Sequence, residues 1–429
     1  MMDAGESALR FISGHAPTVA VVMVESAKKG THMIGSIPAG LAMACAFVLE
    51  RPRFTRPDSV DEDSAAGTGG HTHGDAPRSS PSLVRLPSLE AARDSWTELA
   101  DQQDNVFATW EWASSWWRTY GKRHELFVHQ VLDEDGRPIG ILPLYIASTR
   151  FGRLMRLIGN GPADQLGPVC RAEHRQPVAT ALLALISAPD SPGILLAERM
   201  RTDEHWGDML GGRHIRHESF SLIDLEGLDW DEWLETRSAN FRQHVRKGER
   251  RLARDHRLEY RLVTDEEEVL GALDTLITLH NARWEGDSSA FGPSRRAFHE
   301  DFARAAARRG WLRIRLATVD GEPAAAWLGY RFGGAASSYL MGRSPAWSKY
   351  NVGSVLRMHA IREVAEEVRE FRLLGGNEPY KQRLTTLNPG VDTFLVGSGP
   401  LPWMAHAVIR HKHRLPGRVR GLLAAQLGW

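Results

Sequence analysis

The stretch GRSPAWSKYNVGSVL, residues 342–356, decides how this chain is read. Before it lies ASSYLMG (336–342), a segment of strand character; after it, apolar residues recur at helical spacing from about Val352 to Val368. Gly353 and Ser354 fall in the first turn of that helix. Backbone N–H groups there lack partners further up the helix, and the helix dipole favours anions. The neighbouring segments build a frame around this point. WLRIRLATV (311–319), a turn at Asp320-Gly321 and EPAAAWLGYRF (322–332) read as a β-hairpin; Gly333-Gly334 turns the chain into the third strand, and FRLLG (371–375) returns as a strand after the helix. Three antiparallel strands, a helix and a parallel-type return strand make a splayed sheet with a helix N-terminus at its open end. That geometry suits a pyrophosphate, while the strand edge through Tyr339, Leu340 and Met341 suits an extended chain bearing amides. The local signal also fits an ordinary helix start that binds nothing.

Working outward, the second half opens with WDEWLETRSANFRQHVRKGERRLARD (230–255), helical and strongly basic, followed by helices at Leu270–Trp284 and Arg295–Arg309, the latter stopped by Gly310. The first half has the same plan. FATWEWASSWWRTYG (107–121) is the densest part of a helical region, its tryptophans spaced for core or interdomain packing. ELFVHQVL (125–132), Asp135-Gly136 and RPIGILPLYI (137–146) form another hairpin; a strand at Arg153–Ile158, a helix at Glu173–Ser187 and a strand at Gly193–Arg199 follow. DGRPIGILPLY (135–145) and DGEPAAAWLGY (320–330) share Asp, Gly, Pro and Tyr at equivalent places. The expected fold class is α/β with mixed, mostly antiparallel splayed sheets flanked by helices, in two similar tandem domains at 83–225 and 226–400. Residues 1–82 read as a leader and linker, Pro-, Gly- and Ser-rich from 51 on, and 401–429 as a basic tail.

Composition excludes several classes. Acidic and basic residues balance at 53 each, so no global field points to nucleic acid or an acidic membrane. Cys45 and Cys170 are too few for a disulfide framework or a Cys-rich zinc site, which fits a reducing, cytoplasmic setting. No metal site is expected; His71 and His73 lie in a Gly/Ser-rich stretch. The apolar run Ile34–Leu49 is short of the ~20 residues a spanning helix needs and contains Pro38, so it is not expected to insert; a true start downstream of Met1 explains it equally well.

The order of elements, with YNVGSVLRMHAIREVA (350–365) and FRLLGGNEPYKQRL (371–384), resembles the GNAT superfamily. More narrowly it is similar to the CelD/BcsL-like branch with a BioF2-like acetyltransferase domain, related to FemAB-type transferases. Tyr350, Gly353 and Leu356, then Gly376, Tyr380 and Lys381, carry the resemblance; the tryptophan-rich block, the basic helix Ser238–Leu252 and HNARW (280–284) support it. It implies an acyl-CoA donor such as acetyl-CoA, its pantetheine along Tyr339, Leu340 and Met341 and its phosphates at Tyr350, Asn351, Gly353 and Ser354. The family's strand often reads Phe-Asp-Leu-Leu-Arg-Gly-Asp; here Arg372 and Asn377 replace the acidic residues.

Direct acyl transfer requires an amine to lose a proton, an oxyanion to be stabilised and a thiolate to be protonated. Tyr380 is the candidate proton donor, with packing or positioning as its other reading. Lys381 binds a phosphate or carboxylate, stabilises the oxyanion, or is a solvated surface lysine. Glu378, Glu285 and Asp287 are alternative bases. His280, Arg283 and Trp284 share a helix end and form a candidate acceptor site; Asp164 contacts the acceptor from the first domain or caps a turn. Arg246 and Arg250 on the basic helix face a phosphate-rich partner or solvent. The expected activity is acyl transfer to an amine or hydroxyl of a small molecule or cell-envelope sugar. The alternatives are a transferase dependent on aminoacyl-tRNA and a non-catalytic binding factor. The tail either docks on the protein or touches a membrane surface.

Overall fold

The computed structural model describes residues 81–149, 152–284 and 291–397, with isolated positions between 402 and 411. These belong to one compact unit, Asp75–Trp429. The leader, most of the linker, the run Ile34–Leu49, Glu285, Asp287, the side chains of Arg283 and Trp284, and most of the basic tail lie outside the described residues.

The first lobe runs β1 (Ser82–Arg85), α1 (Arg93–Ala100), α2 (Trp110–Tyr120), β2 (Glu125–Leu126), β3 (His129–Leu132), β4 (Pro138–Leu142), β5 (Leu144–Thr149), β6 (Gly152–Leu157), β7 (Val169–Cys170), α3 (Arg175–Ser187), β8 (Ile194–Arg201), α4 (Trp206–Met209) and β9 (Arg213–Glu218). Then come β10 (Phe220–Asp224), α5 (Trp230–Glu235), α6 (Ala239–Asp255), β11 (Leu258–Val263), α7 (Glu266–Trp284), α8 (Pro293–Arg308), β12 (Leu312–Val319), β13 (Glu322–Phe332), β14 (Ala335–Arg343), α9 (Val352–Val364), β15 (Glu370–Gly375), α10 (Pro379–Leu384) and β16 (Val391–Gly397).

Two six-stranded sheets carry the two lobes, in the orders β2-β5-β6-β8-β16-β9 and β10-β15-β14-β13-β12-β11, with a small sheet β1-β3-β4-β7 beside the first. Each large sheet contains one parallel pair, β6–β8 and β14–β15; its other pairings are antiparallel. The mixed, mostly antiparallel tandem architecture is therefore the one expected. The hairpin turn at Asp320 and Gly321 has positive φ at both residues, 54° and 87°, as a two-residue type I′ turn requires. The matching segment of the first lobe differs. RPIGILPLYI does not run as one strand, because Pro143 has no N–H to donate and the chain passes from β4 in the small sheet to β5 in the large one.

The expected boundaries also need correction. Phe220–Asp224, placed by sequence in the first domain, pairs with β15 of the second sheet. Val391–Gly397, placed in the second, returns to pair with β8 and β9 of the first. Each lobe thus lends the other a strand. One continuous core joins them, running from Trp96 and Val131 through Trp112 to Ile314 and Leu328. At its centre is Trp112, fully buried and edge-on to Phe107, Phe298 and Phe302 at 4.7, 4.9 and 4.6 Å between ring centroids. Helix α2 starts where it does because the Thr109 hydroxyl accepts from the Trp112 N–H. A second core covers the other face of the second sheet, under α5, α6 and α9. Among the described residues no helix is long and apolar enough to cross a membrane.

Trp112→Ala is predicted to cost about 3–5 kcal/mol, the range for deleting a large buried aromatic. Because its neighbours come from both lobes, denaturant unfolding should keep a single, earlier transition; loss of one lobe alone would contradict a shared core.

Candidate functional site

Strands β14 and β15 pair in parallel at three positions only: Ala335 with Glu370, Ala336 with Phe371, and Ser337 with Arg372. Beyond these they separate. β14 stays with β13 as far as Arg343, with a bulge at which Leu328 faces Leu340 and Gly329 faces Ser338, leaving Tyr339 as the extra residue. β15 instead follows β10, and Leu374 takes a left-handed φ of 63°. A wedge opens between Tyr339–Met341 on one side and Leu374–Gly375 on the other. The Tyr339 ring turns into the first lobe, against Trp112 and Phe107, and its hydroxyl donates to the Pro162 carbonyl at 2.9 Å. Burial pushes that phenol far above its ordinary range. Tyr339 accordingly lends the wedge its backbone, with its side chain serving as an anchor.

Helix α9 begins at the open end of the wedge. Asn351, left-handed at φ 52°, turns the chain into it. A Cβ on Gly353 would lie 3.2 Å from Arg343 Cδ and 3.4 Å from Met341 Sδ, so the glycine lets the helix start lie on β14. The Ser354 amide is not available as expected: it donates to the Asn351 carbonyl at 2.8 Å, which makes Ser354 a wall residue here. Val352 and Gly353 keep first-turn N–H groups without an intrahelical acceptor.

A cleft of about 240 Å³ lies between this helix start and the basic helix α6, lined by Tyr350, Asn351 and Ser354 from one side and His244, Arg246 and Arg250 from the other. Arg246 is held by Glu235 at 2.8 Å, while Arg250 has no carboxylate within 4.0 Å among the described residues. Tyr350 closes the end of the cleft. Its hydroxyl meets His256 Nε2 at 3.0 Å, and His256 Nδ1 meets Asp320 at 2.7 Å, tying the hairpin turn to the cleft wall. Deeper in, His359 stacks on Tyr260 with centroids 3.8 Å apart, and burial lowers its basicity.

At the other side of the wedge, α10 carries Tyr380 and Lys381. Lys381 is 4% exposed, which rules out a solvated surface lysine. Its ammonium donates to the carbonyls of Gly375 and, at 3.5 Å, Leu374, and lies 3.2 Å from Glu378. Asp164, in the loop after β6, reaches the same corner. Its carboxylate would be 3.3 Å from a Cβ on Gly375 and is 3.4 Å from Arg199 Nη1. Burial holds it above the usual carboxylate range, against the pull of Arg199 and Lys381.

The remaining expected residues sort as follows. His280 is buried and its Nδ1 meets the Met341 carbonyl at 3.2 Å, so it braces β14 and does not join Asp164 and Lys381. Arg372 points between the lobes, bonded to Glu370 at 2.8 Å; its counter-charge stands two residues earlier on the same strand. Asn377 is exposed. Sequence reasoning missed Arg357, whose guanidinium lies 3.7 Å over the Tyr380 ring and 3.2 Å from Met341 Sδ. The signal was present: one arginine inside the apolar run Val355, Leu356, Met358 of α9. Among the described residues no group of His, Cys, Asp and Glu side chains is arranged to hold a metal.

Residues 239–382, about a third of the chain, match the model described as an acetyltransferase (GNAT) domain. In solved structures the fold is similar to FemX, at 11% identity and TM-score 0.55 over 76% of this chain and 100% of that one. It is similar also to a conserved protein of unknown function from Bacteroides thetaiotaomicron VPI-5482, at 12% identity and TM-score 0.50 over 74% and 100%. A third is the C-terminal domain of a putative lysylphosphatidylglycerol synthetase from Agrobacterium fabrum, at 14% and 0.48 over 75% and 98%. No curated protein sequence matches the chain. At these identities the structural likeness bears on fold alone. Residues 239–382 carry a GNAT domain, and this domain supports an acyltransferase.

The raised carboxyl of Asp164 has a stability consequence of defined sign. A folded-state value above the unfolded one contributes stability that is present below the unfolded carboxyl range and lost as pH rises through the folded value. Asp164→Asn should therefore melt higher than the parent at pH 7, with the gap closing below about pH 4. Equal melting temperatures across that range would show that the carboxylate carries no burial cost.

Proposed function

We propose that the protein moves an acyl group from acyl-CoA, acetyl-CoA or a longer homologue, onto an amine that enters from the first-lobe side of the wedge. The observation carrying this reading is the brief parallel pairing of β14 with β15. It leaves a gap with the helix start and a cleft lined by Arg246, Arg250 and Arg362 beside Asp231 and Glu249 at one end, and Tyr380 at the other. In this reading the donor's phosphates lie against the Val352 and Gly353 amides with Arg246 and Arg250, and its pantetheine amides pair along Tyr339–Met341. The amine attacks the thioester carbonyl, Asp164 accepts the proton it sheds, and Lys381 holds the end of β15 in place. The carbon–sulfur bond breaks as the thiolate takes the Tyr380 proton. Glu378, exposed and paired with Lys381, is a weaker candidate base than Asp164. An acceptor among cell-envelope sugars rests on the resemblance to the CelD/BcsL-like branch, and a cytoplasmic setting on the two isolated cysteines.

Calorimetry with acetyl-CoA tests donor binding, with one molecule bound per chain as the expected result; no heat at millimolar donor would sink the reading. The double charge reversal Arg246→Glu, Arg250→Glu should weaken that binding by roughly tenfold or more at low salt, and by less as salt rises. Affinity indifferent to both changes would move the phosphates elsewhere. Thiol release from acetyl-CoA across a library of amines and amino sugars identifies the acceptor. The expected outcome is release that depends on one amine class and falls roughly a hundredfold, to a measurable remainder, in Tyr380→Phe.

A further inference from the structure

We infer that Arg357 is a positioning residue for proton transfer, acting through Tyr380; this rests on the acyl-transfer reading of the wedge given above. Arg357 stands just over one turn into α9, and its side chain touches Met341 of β14 and Tyr380 of α10. It is 8% exposed. On one side Nη2 is 3.2 Å from Met341 Sδ, on the strand proposed to hold the donor's thioester arm. On the other, the guanidinium covers the face of the Tyr380 ring at 3.7 Å, well inside the ~6 Å reach of a cation–π contact.

The geometry does two things. A flat cation against a flat ring fixes the ring plane, so the Tyr380 hydroxyl is aimed by α9 as well as by the short helix α10 that bears it. A fixed positive charge on the ring face also favours the phenolate, the form Tyr380 takes once the leaving sulfur has its proton. The step balances. The amine nitrogen bonds to the carbonyl carbon and its proton leaves through Asp164; the carbon–sulfur bond breaks, the sulfur takes the phenolic proton, and solvent later returns one to the tyrosinate. The other charged groups of this corner are committed elsewhere. Lys381 is turned to the Leu374 and Gly375 carbonyls with Glu378 beside it, Asp164 faces Arg199, and the Asp224 carboxylate of β10 accepts from the Glu226 N–H. Arg383 shares α10 with Tyr380 and is exposed.

The test compares Arg357→Met, which keeps bulk and removes charge, with Arg357→Lys, which keeps charge and loses the flat stack. With acetyl-CoA and the amine that gives thiol release, Arg357→Met should lower kcat roughly tenfold to a hundredfold with KM for acetyl-CoA unchanged. Arg357→Lys should recover part of the loss. Combined with Tyr380→Phe, Arg357→Met should add no further loss, since both changes remove one function. A second readout needs no turnover. The chain has seven tyrosines, so the tyrosinate absorbance of the parent minus that of Tyr380→Phe isolates Tyr380. Its midpoint should rise by about one pH unit in Arg357→Met. Losses that multiply in the double variant, or an unmoved midpoint, would overturn the assignment. If Met at this buried site prevents folding, the same difference titration in Arg357→Lys decides, with a smaller rise expected and no rise overturning it. Should the parent release no thiol with any amine, the acyl-transfer reading fails, while the titration still decides whether Arg357 governs Tyr380.

Discussion

Tyr339 sits where two demands on the chain meet. As the extra residue of a β-bulge it cannot pair in register with β13, and its ring is driven off the sheet into the aromatic nest around Trp112. Its hydroxyl is bonded to Pro162, in the loop that also carries Asp164. One side chain thus fixes the bulge that bends β14 and the position of the first lobe's contribution to the site. The bulge is costly only if the displaced ring stays in water; buried among aromatic edges, it gains more than the lost ladder bond costs. Without the first lobe the ring would keep Tyr330 and His299 but lose Phe107, Trp112 and the Pro162 carbonyl, and β14 would lose its anchor across the lobes.

The two lobes use one plan to opposite ends. In the first, β6 and β8 pair in parallel only at Met155 with Leu195 and Arg156 with Leu196, so a second wedge exists. It is closed by the chain itself: the Leu166 amide donates to the Arg199 carbonyl at 2.9 Å, and Arg199 Nη1 donates to the Ala163 carbonyl at 2.6 Å. The loop that fills this gap is the one that presents Asp164 to the second lobe. Closing one site therefore helps to furnish the other. The buried pair Arg156–Glu198, at 2.8 Å, lies beside the closed wedge, where a carboxylate and a guanidinium compensate each other away from water.

Much of the second lobe was legible because its signals are local. The turn Asp320-Gly321 needs two left-handed residues, strands β12 to β14 follow one another through short turns, and Gly353 marks a close approach of helix to strand. The strand exchange was not legible. β10 and β16 pair with partners about 150 and 190 residues away in sequence, and nothing in FSLID or VDTFLVG names those partners. Tyr380, Lys381 and Asp164 were visible as candidates, but their surroundings were not. Lys381 reads as surface until β15 ends over it, and Arg372 reads as a lost acid until Glu370 is seen beside it. Arg357 was hidden by its own helix: an arginine in an apolar run looks like an imperfection of the core until Tyr380, 23 residues on, comes to rest against it.

The left-handed residues Arg199 and Leu374 occupy similar places, three residues past the last parallel position Leu196 in the first lobe and two past the last parallel position Arg372 in the second. Neither is glycine, so each stores backbone strain that the surrounding pairing must hold. In both lobes the strained residue lies past the last parallel position, while the return strand stays paired on its other side with an antiparallel strand lent by the other half of the chain. The exchange of β10 and β16 can thus be understood as the means by which the strain is sustained. The borrowed strands β16 and β10 pair with β8 and β15 on the side away from β6 and β14, before the strained residue and after it alike. A lobe that kept its own strand in sequence order would have only a short loop to make that connection. The wedge of the second lobe is open because the chain crosses over to support it, and the first lobe, supported in the same way, closes its wedge with a loop.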